Sequence, residues 1–173
     1  MPRDAQRRVV AGMASGAIGS AAFLYLGYRF LPPFVPVLME PIERVAYAIR
    51  WLVLPAGTLV LGVALVAAGR FFAPDAIDGN EPTEGSTLDI NVRFVTNTAE
   101  QLLLFAIALL ALSVHLGGTA VRMIPLLTLW FSFARLAFLA GYHKSPIARA
   151  FGFAATFYPT VGVLLYDVLM ILS

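Results

Sequence analysis

Three polar side chains recur at helical spacing in one stretch of this sequence, Arg93-Phe-Val-Thr-Asn97-Thr-Ala-Glu100. At about 100° per residue, Asn97 and Glu100 each lie within roughly 40° of Arg93 around a helix, so the three share one face. Charged and amide groups entering an apolar segment are costly there, and they are typical of a functional site. The spacing therefore predicts a polar binding face on a helix over residues 93–100.

A second stripe combines one charge with two aromatic rings. Arg135, Phe138 and Tyr142 stand at positions i, i+3 and i+7, so they also share a helical face. Arg135 lies inside an otherwise apolar segment, where an ionised group needs a polar partner. Two partners are compatible with the spacing. Glu100 could form a structural ion pair with Arg135, or a ligand could bind near it.

The composition requires that membrane helices carry these stripes. Hydrophobic residues make up 60% of the 173 residues and charged residues 13%, against about 45–50% and about 25% in ordinary soluble proteins. So few charges cannot cover so much apolar surface in water, which excludes a soluble enzyme. The net charge of +2 is small and its basic residues are scattered, so nothing favours nucleic-acid binding. Cysteine is absent, so any thiol chemistry needs a thiol from a ligand.

Five apolar segments are long enough to cross a hydrocarbon core of about 30 Å as helices. They are Val9–Tyr28, Trp51–Gly69, Gln101–Val121, Ile124–Tyr142 and Ala150–Tyr166. The first is longer than the apolar region of a typical signal peptide, so we expect it to be retained as a span. We therefore predict an all-α, polytopic transmembrane bundle, with Phe71–Asn91 as its long polar loop.

The first span also contains small residues at helical spacing, Gly12-x-x-x-Gly16 followed by Ser20. Small side chains on one face let two membrane helices approach closely. The stripe therefore predicts a tight contact between the first span and another helix, although glycine is also common in membrane helices in general.

Alternation of the spans places several polar groups on one side of the membrane. They are Arg70, Arg93, Asn97, Glu100, Tyr142 and Arg149. Lys and Arg residues are more numerous on the side of the N-terminus than on the other side, which predicts that this side is cytoplasmic. Arginines, an amide, a carboxylate and a phenol suit a ligand with two carboxylates and one ammonium, and glutathione is such a ligand. Interfacial anchoring by Arg70, Lys144 and Arg149 is the alternative.

The same residues resemble the signature of the MAPEG family, the membrane-associated proteins in eicosanoid and glutathione metabolism. Its Arg-x-x-x-Asn-x-x-Glu pattern is matched by Arg93, Asn97 and Glu100. The stretch Phe133–Tyr142 resembles the Phe-Ala-Arg-Leu…Gly-Tyr segment of the leukotriene C synthase and microsomal glutathione transferase branch. The resemblance covers about residues 47–172.

The resemblance implies a homotrimer of helical bundles with glutathione bound between adjacent subunits. Arg149 matches the arginine beside the glutathione sulfur, which makes it the expected catalytic residue, and Arg70 resembles an arginine supplied by the neighbouring subunit. Gln101 and Phe138 stand where the leukotriene branch has tyrosines. The expected glutathione-binding residues are Arg70, Arg93, Asn97, Glu100, Gln101, Phe138 and Tyr142.

These features together predict a membrane-embedded, glutathione-dependent transferase or peroxidase. Its second substrate would be a lipophilic electrophile or a lipid hydroperoxide that enters from the bilayer, and a nearby arginine would favour the reactive thiolate. A non-catalytic lipid-binding or scaffold protein of the same fold is the alternative. We predict an additional N-terminal helix with a proline-rich link over residues 1–45, and a MAPEG-like four-helix domain over residues 46–173. The two histidines have no partner at metal-ligand spacing, so no metal site is predicted.

Overall fold

The fold is described by a computed structural model that covers residues 3–30, 40–72, 79–145 and 147–173. Within these ranges the helices are α1 (Arg3–Phe30), α2 (Pro41–Trp51), α3 (Val53–Phe71), α4 (Thr87–His115), α5 (Met123–Lys144) and α6 (Ala150–Leu172), with a 3₁₀ segment over Gly118–Arg122. Because α2 and α3 follow each other as one span, five helical segments of the described chain are long and apolar enough to cross a membrane. The predicted all-α transmembrane bundle, a four-helix core with one additional N-terminal helix, is confirmed.

The second span is longer than the sequence indicated, because it begins at Pro41 instead of Trp51. Proline suits the first helical turn, where its missing N–H would have no partner in any case, and the Glu40 N–H donates to Glu43 Oε2 at 2.9 Å. The helix is interrupted at Leu52, just before Pro55. Proline cannot donate to the carbonyl four residues earlier and its ring crowds that group, which separates α2 from α3.

The third span begins earlier than predicted, at Thr87 instead of Gln101, and ends at His115 instead of Val121. The Ser86 hydroxyl caps its first turn by accepting a hydrogen bond from the Asp89 N–H at 3.1 Å. Gly118, with φ of +52°, adopts a left-handed conformation that interrupts the chain beyond the helix. The predicted polar loop is therefore shorter at its C-terminal end, and the Arg93–Glu100 stretch lies on one continuous helix.

The centre of the bundle is α4, which packs against α2, α3, α5 and α6. The larger core cluster includes Phe105 and Phe131, whose rings stack with centroids 4.5 Å apart. A smaller cluster contains Phe94, Phe138 and Tyr142. We call the side of the bundle that holds this smaller cluster, where α1, α4 and α6 begin, the Arg149 side.

The predicted close approach of α1 is confirmed, and its neighbour is α6. A Cβ atom at Gly16 would lie only 2.7 Å from the carbonyl oxygen of Phe151, so glycine is required there. Trp130 Nε1 donates to Ser20 Oγ at 3.0 Å and to the Ala155 carbonyl at 2.9 Å. These buried hydrogen bonds fix α1 against both α5 and α6, because a lone polar group would be costly at this depth.

Candidate functional site

Five of the predicted site residues line one cavity of about 490 Å³ on the Arg149 side. They are Arg93, Asn97, Phe138, Tyr142 and Arg149. The other walls are apolar, formed by Val9, Met13, Ile147, Ala150 and Phe153. A recess of this size, mostly apolar with a few convergent polar groups, has the character of a small-molecule site.

Arg93 is held at the mouth of this cavity by an acidic residue one turn earlier on α4. Its Nε donates to Asp89 Oδ1 at 2.8 Å, and the second Asp89 oxygen accepts from the Gly85 N–H at 2.9 Å. Glu84 lies further from the guanidinium, at 3.9 Å. Asp89 lies within the polar loop predicted over Phe71–Asn91, although its i,i+4 spacing to Arg93 could have identified the pair. Half of the Arg93 side chain stays exposed and can reach a ligand.

Arg149 comes directly before the first turn of α6 and lines the cavity. Its guanidinium carbon lies 4.4 Å from the centroid of the Tyr142 ring, in a cation–π contact. Among the residues that the structure describes, no carboxylate pairs with Arg149. The positive end of the α6 dipole adds to its charge, so this part of the cavity favours an anion.

Close helix packing positions the aromatic residues of the site. A Cβ atom at Gly152 would collide with the backbone of Phe138, so α5 and α6 are in direct contact at this point. The Phe138 ring meets the edge of the Tyr142 ring with centroids 5.7 Å apart. Tyr142 is buried, and the guanidinium of Arg149 lies over its ring. The contact at Gly152 therefore determines the geometry of the cavity wall.

Arg135 is completely buried behind the cavity. It donates to Asn97 Oδ1 at 3.1 Å and to Thr98 Oγ1 at 2.9 Å, and its guanidinium carbon lies 4.3 Å from the Phe138 centroid. No salt bridge joins Glu100 and Arg135, so the structural ion pair considered from the sequence is wrong. Arginine can only donate, so the Asn97 oxygen faces Arg135 and its amide NH₂ is left to donate elsewhere. Asn97 lines the cavity, so that donor is available to a ligand.

Three predicted site residues do not line the cavity of the single chain. Arg70 is half-buried at the end of α3, beside Gly79. Gln101 is buried, and its Oε1 has no hydrogen-bond partner in the described part of the chain. Glu100 is exposed on the outer face of α4.

The geometry of α4 explains why Glu100 separates from its neighbours. The bundle interior meets α4 on the side of Thr98 and Gln101, which are both buried. At about 100° per residue, Glu100 lies roughly 100–160° away from these two residues around the helix. Arg93 points in a similar direction, but its longer side chain reaches the cavity from the edge of the helix.

A second, polar recess of about 310 Å³ adjoins the cavity and shares Arg93, Tyr142 and Arg149 with it. Its other walls come from the start of α4 and from the end of α5, including Asp89 and His143. We call it the vestibule. It supplies carboxylates that the cavity itself lacks, so the two recesses together offer groups for the carboxylates and the ammonium of one ligand.

Comparison with known proteins agrees with this architecture. The sequence is 28% identical to transmembrane protein 79 from Bos taurus over 160 residues, which is 92% of this chain and 40% of the relative. It is 26% identical to transmembrane protein 79 from Mus musculus over 160 residues, which again is 92% of this chain and 40% of the relative. The chain thus spans about 40% of the length of the curated relatives it matches.

No solved structure matches the chain. The relatives do not support the specific likeness to the leukotriene C synthase and microsomal glutathione transferase branch that the motifs indicated. A profile of the MAPEG family matches residues 45–168, which include most of α2 and α6 and all of α3, α4 and α5. This integral, multi-pass membrane protein therefore belongs to the MAPEG family.

Proposed function

We propose that this protein is a glutathione-dependent transferase or peroxidase that acts on lipophilic electrophiles or lipid hydroperoxides within the membrane. One observation carries the proposal: arginine, amide and phenol groups from α4, α5 and the start of α6 converge on one cavity. Arg149 has no carboxylate partner among the described residues, so its charge is available to an anion. Polar groups that converge from separate helices are more specific to a ligand than scattered interfacial anchors are.

The chemistry of the two recesses fits glutathione. Arg93 and Asn97 would donate to a carboxylate, while Asp89 in the vestibule would accept from the ammonium. Arg149 would lie near the sulfur and lower the pKa of the thiol, because a neighbouring cation favours the thiolate. The thiolate is the nucleophile that attacks an electrophilic carbon or a peroxide oxygen, and the apolar walls would hold that second substrate.

We further propose that the active assembly is a homotrimer. Glu100 is exposed on the outer face of α4, next to exposed Leu103 and Ile107. A carboxylate that faces lipid is costly, so contact with a second copy would remove it from an unfavourable environment. Arg70 would then reach the site of the adjacent subunit, as the resemblance implies. Cross-linking in native membranes is expected to trap a trimer, and recovery of monomers alone would contradict this assembly.

A second candidate function is non-catalytic binding of a lipid. Phe138 provides no hydroxyl to the cavity, and most of the cavity wall is apolar. In that case the arginines would bind only the anionic head group of a lipid. Binding without turnover would favour this candidate.

The test uses the full chain in lipid nanodiscs, with glutathione and either a chromogenic electrophile or an organic hydroperoxide. The unmodified protein is expected to turn over, whereas Arg149→Ala is expected to lose most activity and remain folded. Arg50→Ala is the matched control, because Arg50 is exposed on α2 and does not line the cavity. If the unmodified protein shows no turnover, or if both variants lose activity equally, the proposed function is wrong.

A further inference from the structure

The additional helix α1 forms part of the wall of the candidate site. Val9 and Met13, both on α1, line the cavity together with the five site residues predicted from the sequence. The family profile begins at residue 45, so this wall lies outside the part of the chain that defines the family. The cavity of this protein therefore has a boundary that the four-helix core alone does not provide.

Met13 also lines a second recess, of about 350 Å³, between α1 and α6. The rest of this recess is formed by Val10, Ala14, Ala17 and Tyr158. We call it the α1–α6 groove. None of its lining residues is charged, and the groove opens on the lipid-facing surface, where Val10 is 63% exposed. Met13 is thus the side chain that the polar cavity and the apolar groove have in common.

Tight packing beside the groove, at Gly12 and Gly16, keeps α1 in place. A Cβ atom at Gly12 would lie 3.1 Å from the Ala150 Cβ, and one at Gly16 would lie 2.7 Å from the Phe151 carbonyl oxygen. The groove exists because Ala14 and Ala17 are small. Methionine is unbranched and flexible, so Met13 can change rotamer and let a chain pass without moving the helix.

The recesses lie in sequence from water to lipid. The vestibule shares Arg93, Tyr142 and Arg149 with the cavity, and the cavity shares Met13 with the α1–α6 groove. The charges are at one end and the apolar surface at the other. A ligand that matches this distribution has an anionic head and a single hydrocarbon tail.

We propose that Met13 is a specificity-determining residue that directs the hydrocarbon tail of the lipophilic substrate from the cavity into the α1–α6 groove. The proposal rests on the proposed function, because the head of the ligand is taken to be the glutathione conjugate. It assigns to α1 the selection of substrates by the length of their tail. Short electrophiles need only the cavity, whereas long-chain ones also need the groove.

The test measures binding of glutathione and of S-methyl, S-butyl and S-octyl glutathione to the full chain in identical nanodiscs. The affinity of the unmodified protein is expected to rise about tenfold or more from S-methyl to S-octyl glutathione, because the longer tail buries more apolar surface. Ala17→Trp and Ala14→Trp fill the groove, so this rise is expected to fall to about twofold or less while glutathione itself binds as before. Two variants are used because Ala14 is exposed and tolerates a large side chain more readily than half-buried Ala17.

The controls separate the groove from α1 in general. Ile18→Trp places the same bulk on a residue of α1 that is 69% exposed and does not line the groove, so the dependence on tail length is expected to be preserved. Met13→Leu is expected to retain the dependence, whereas Met13→Trp is expected to remove it. Failure of the unmodified protein to bind glutathione would overturn the proposed function. If the unmodified protein binds all the conjugates with equal affinity, only the inference about Met13 is overturned. The same holds if Ala14→Trp and Ala17→Trp both leave the dependence of affinity on tail length unchanged.

Discussion

Replacing Arg135 by methionine is expected to weaken binding of anionic ligands in the cavity and to leave the fold intact. Two effects on the free energy of unfolding oppose each other. Without the guanidinium, Asn97 Oδ1 and Thr98 Oγ1 lose a donor, at a cost of about 1–3 kcal/mol for buried Thr98 and less for half-buried Asn97. The protein also no longer buries a charge that has no carboxylate partner among the described residues, which recovers several kcal/mol of desolvation. The net change in stability is therefore expected to be within about 2 kcal/mol.

In contrast to its opposing effects on stability, the substitution is expected only to weaken ligand binding. A ligand oxygen bonded to the Asn97 amide would lie roughly 7 Å from the Arg135 guanidinium, one amide group and one hydrogen bond further away. At an effective dielectric constant of about 20, two unit charges at that distance attract each other by about 2.4 kcal/mol. Loss of this attraction corresponds to roughly fifty-fold weaker binding.

Calorimetric titration of glutathione into nanodiscs at low salt measures this change, and thermal unfolding of the same samples measures stability. Arg135→Lys keeps a charge but not the planar contact with Asn97, so its affinity is expected to lie between those of the unmodified protein and Arg135→Met. Thr156→Val is the matched control, because it keeps the Arg135 charge and removes a 3.5 Å contact to it, together with hydrogen bonds of the Thr156 hydroxyl to the Gly152 and Phe153 carbonyls of its own helix. If Arg135→Met binds glutathione as tightly as the unmodified protein, or if Thr156→Val weakens binding as strongly, the charge of Arg135 does not contribute to anion binding in the cavity.

Substitutions of Arg149, Gly152 and Gly16 test the cavity wall and the helix contacts. Arg149→Ala is expected to lower turnover at neutral pH far more than it lowers glutathione affinity, and to raise the pKa of the bound thiol, with Arg149→Lys intermediate. A titration followed by the ultraviolet absorbance of the thiolate measures this pKa, and an unchanged pKa in Arg149→Ala would contradict the prediction. Gly152→Ala is expected to lower the free energy of unfolding by about 1–3 kcal/mol through collision with the α5 backbone, whereas Gly162→Ala, which has open space around it, should be neutral or stabilising in the same thermal unfolding assay. Gly16→Ala is expected to increase proteolysis of α1 by disturbing its contact with α6, and equal protection of Gly16→Ala and its control Gly57→Ala would argue against that contact.

The fold could be predicted from the sequence because membrane spans depend on local properties of the chain. Apolar segments between charged residues located the membrane spans, since lipid permits only helices or closed barrels to cross it. The span ends were less accurate. Thr87 begins α4 because Ser86 caps it, and a cap operates within a polar stretch that hydropathy assigns to a loop.

The helical spacing of residues identified most of the cavity before its geometry was known. Arg93, Asn97, Phe138 and Tyr142 were predicted as site residues from this spacing, Arg149 was predicted from the alternation of the spans and from the family resemblance, and all five line the cavity. The first four are periodic within single helices, and alternation of the spans places the ends of those helices on the same side of the membrane as Arg149. Whether these residues bind glutathione stays a prediction.

Packing between helices decides the features of the site that the sequence could not predict. A helical wheel shows which residues share a face, but only the neighbours of α4 show that its interior side is that of Thr98 and not that of Glu100. The partners of Arg135 depend on which hydroxyl and amide groups neighbouring helices bring within 3.1 Å, a distance that no spacing within α5 can specify. Met13 had no chemical signal in the sequence, because its position in the cavity wall arises from glycines that bring α1 against α6.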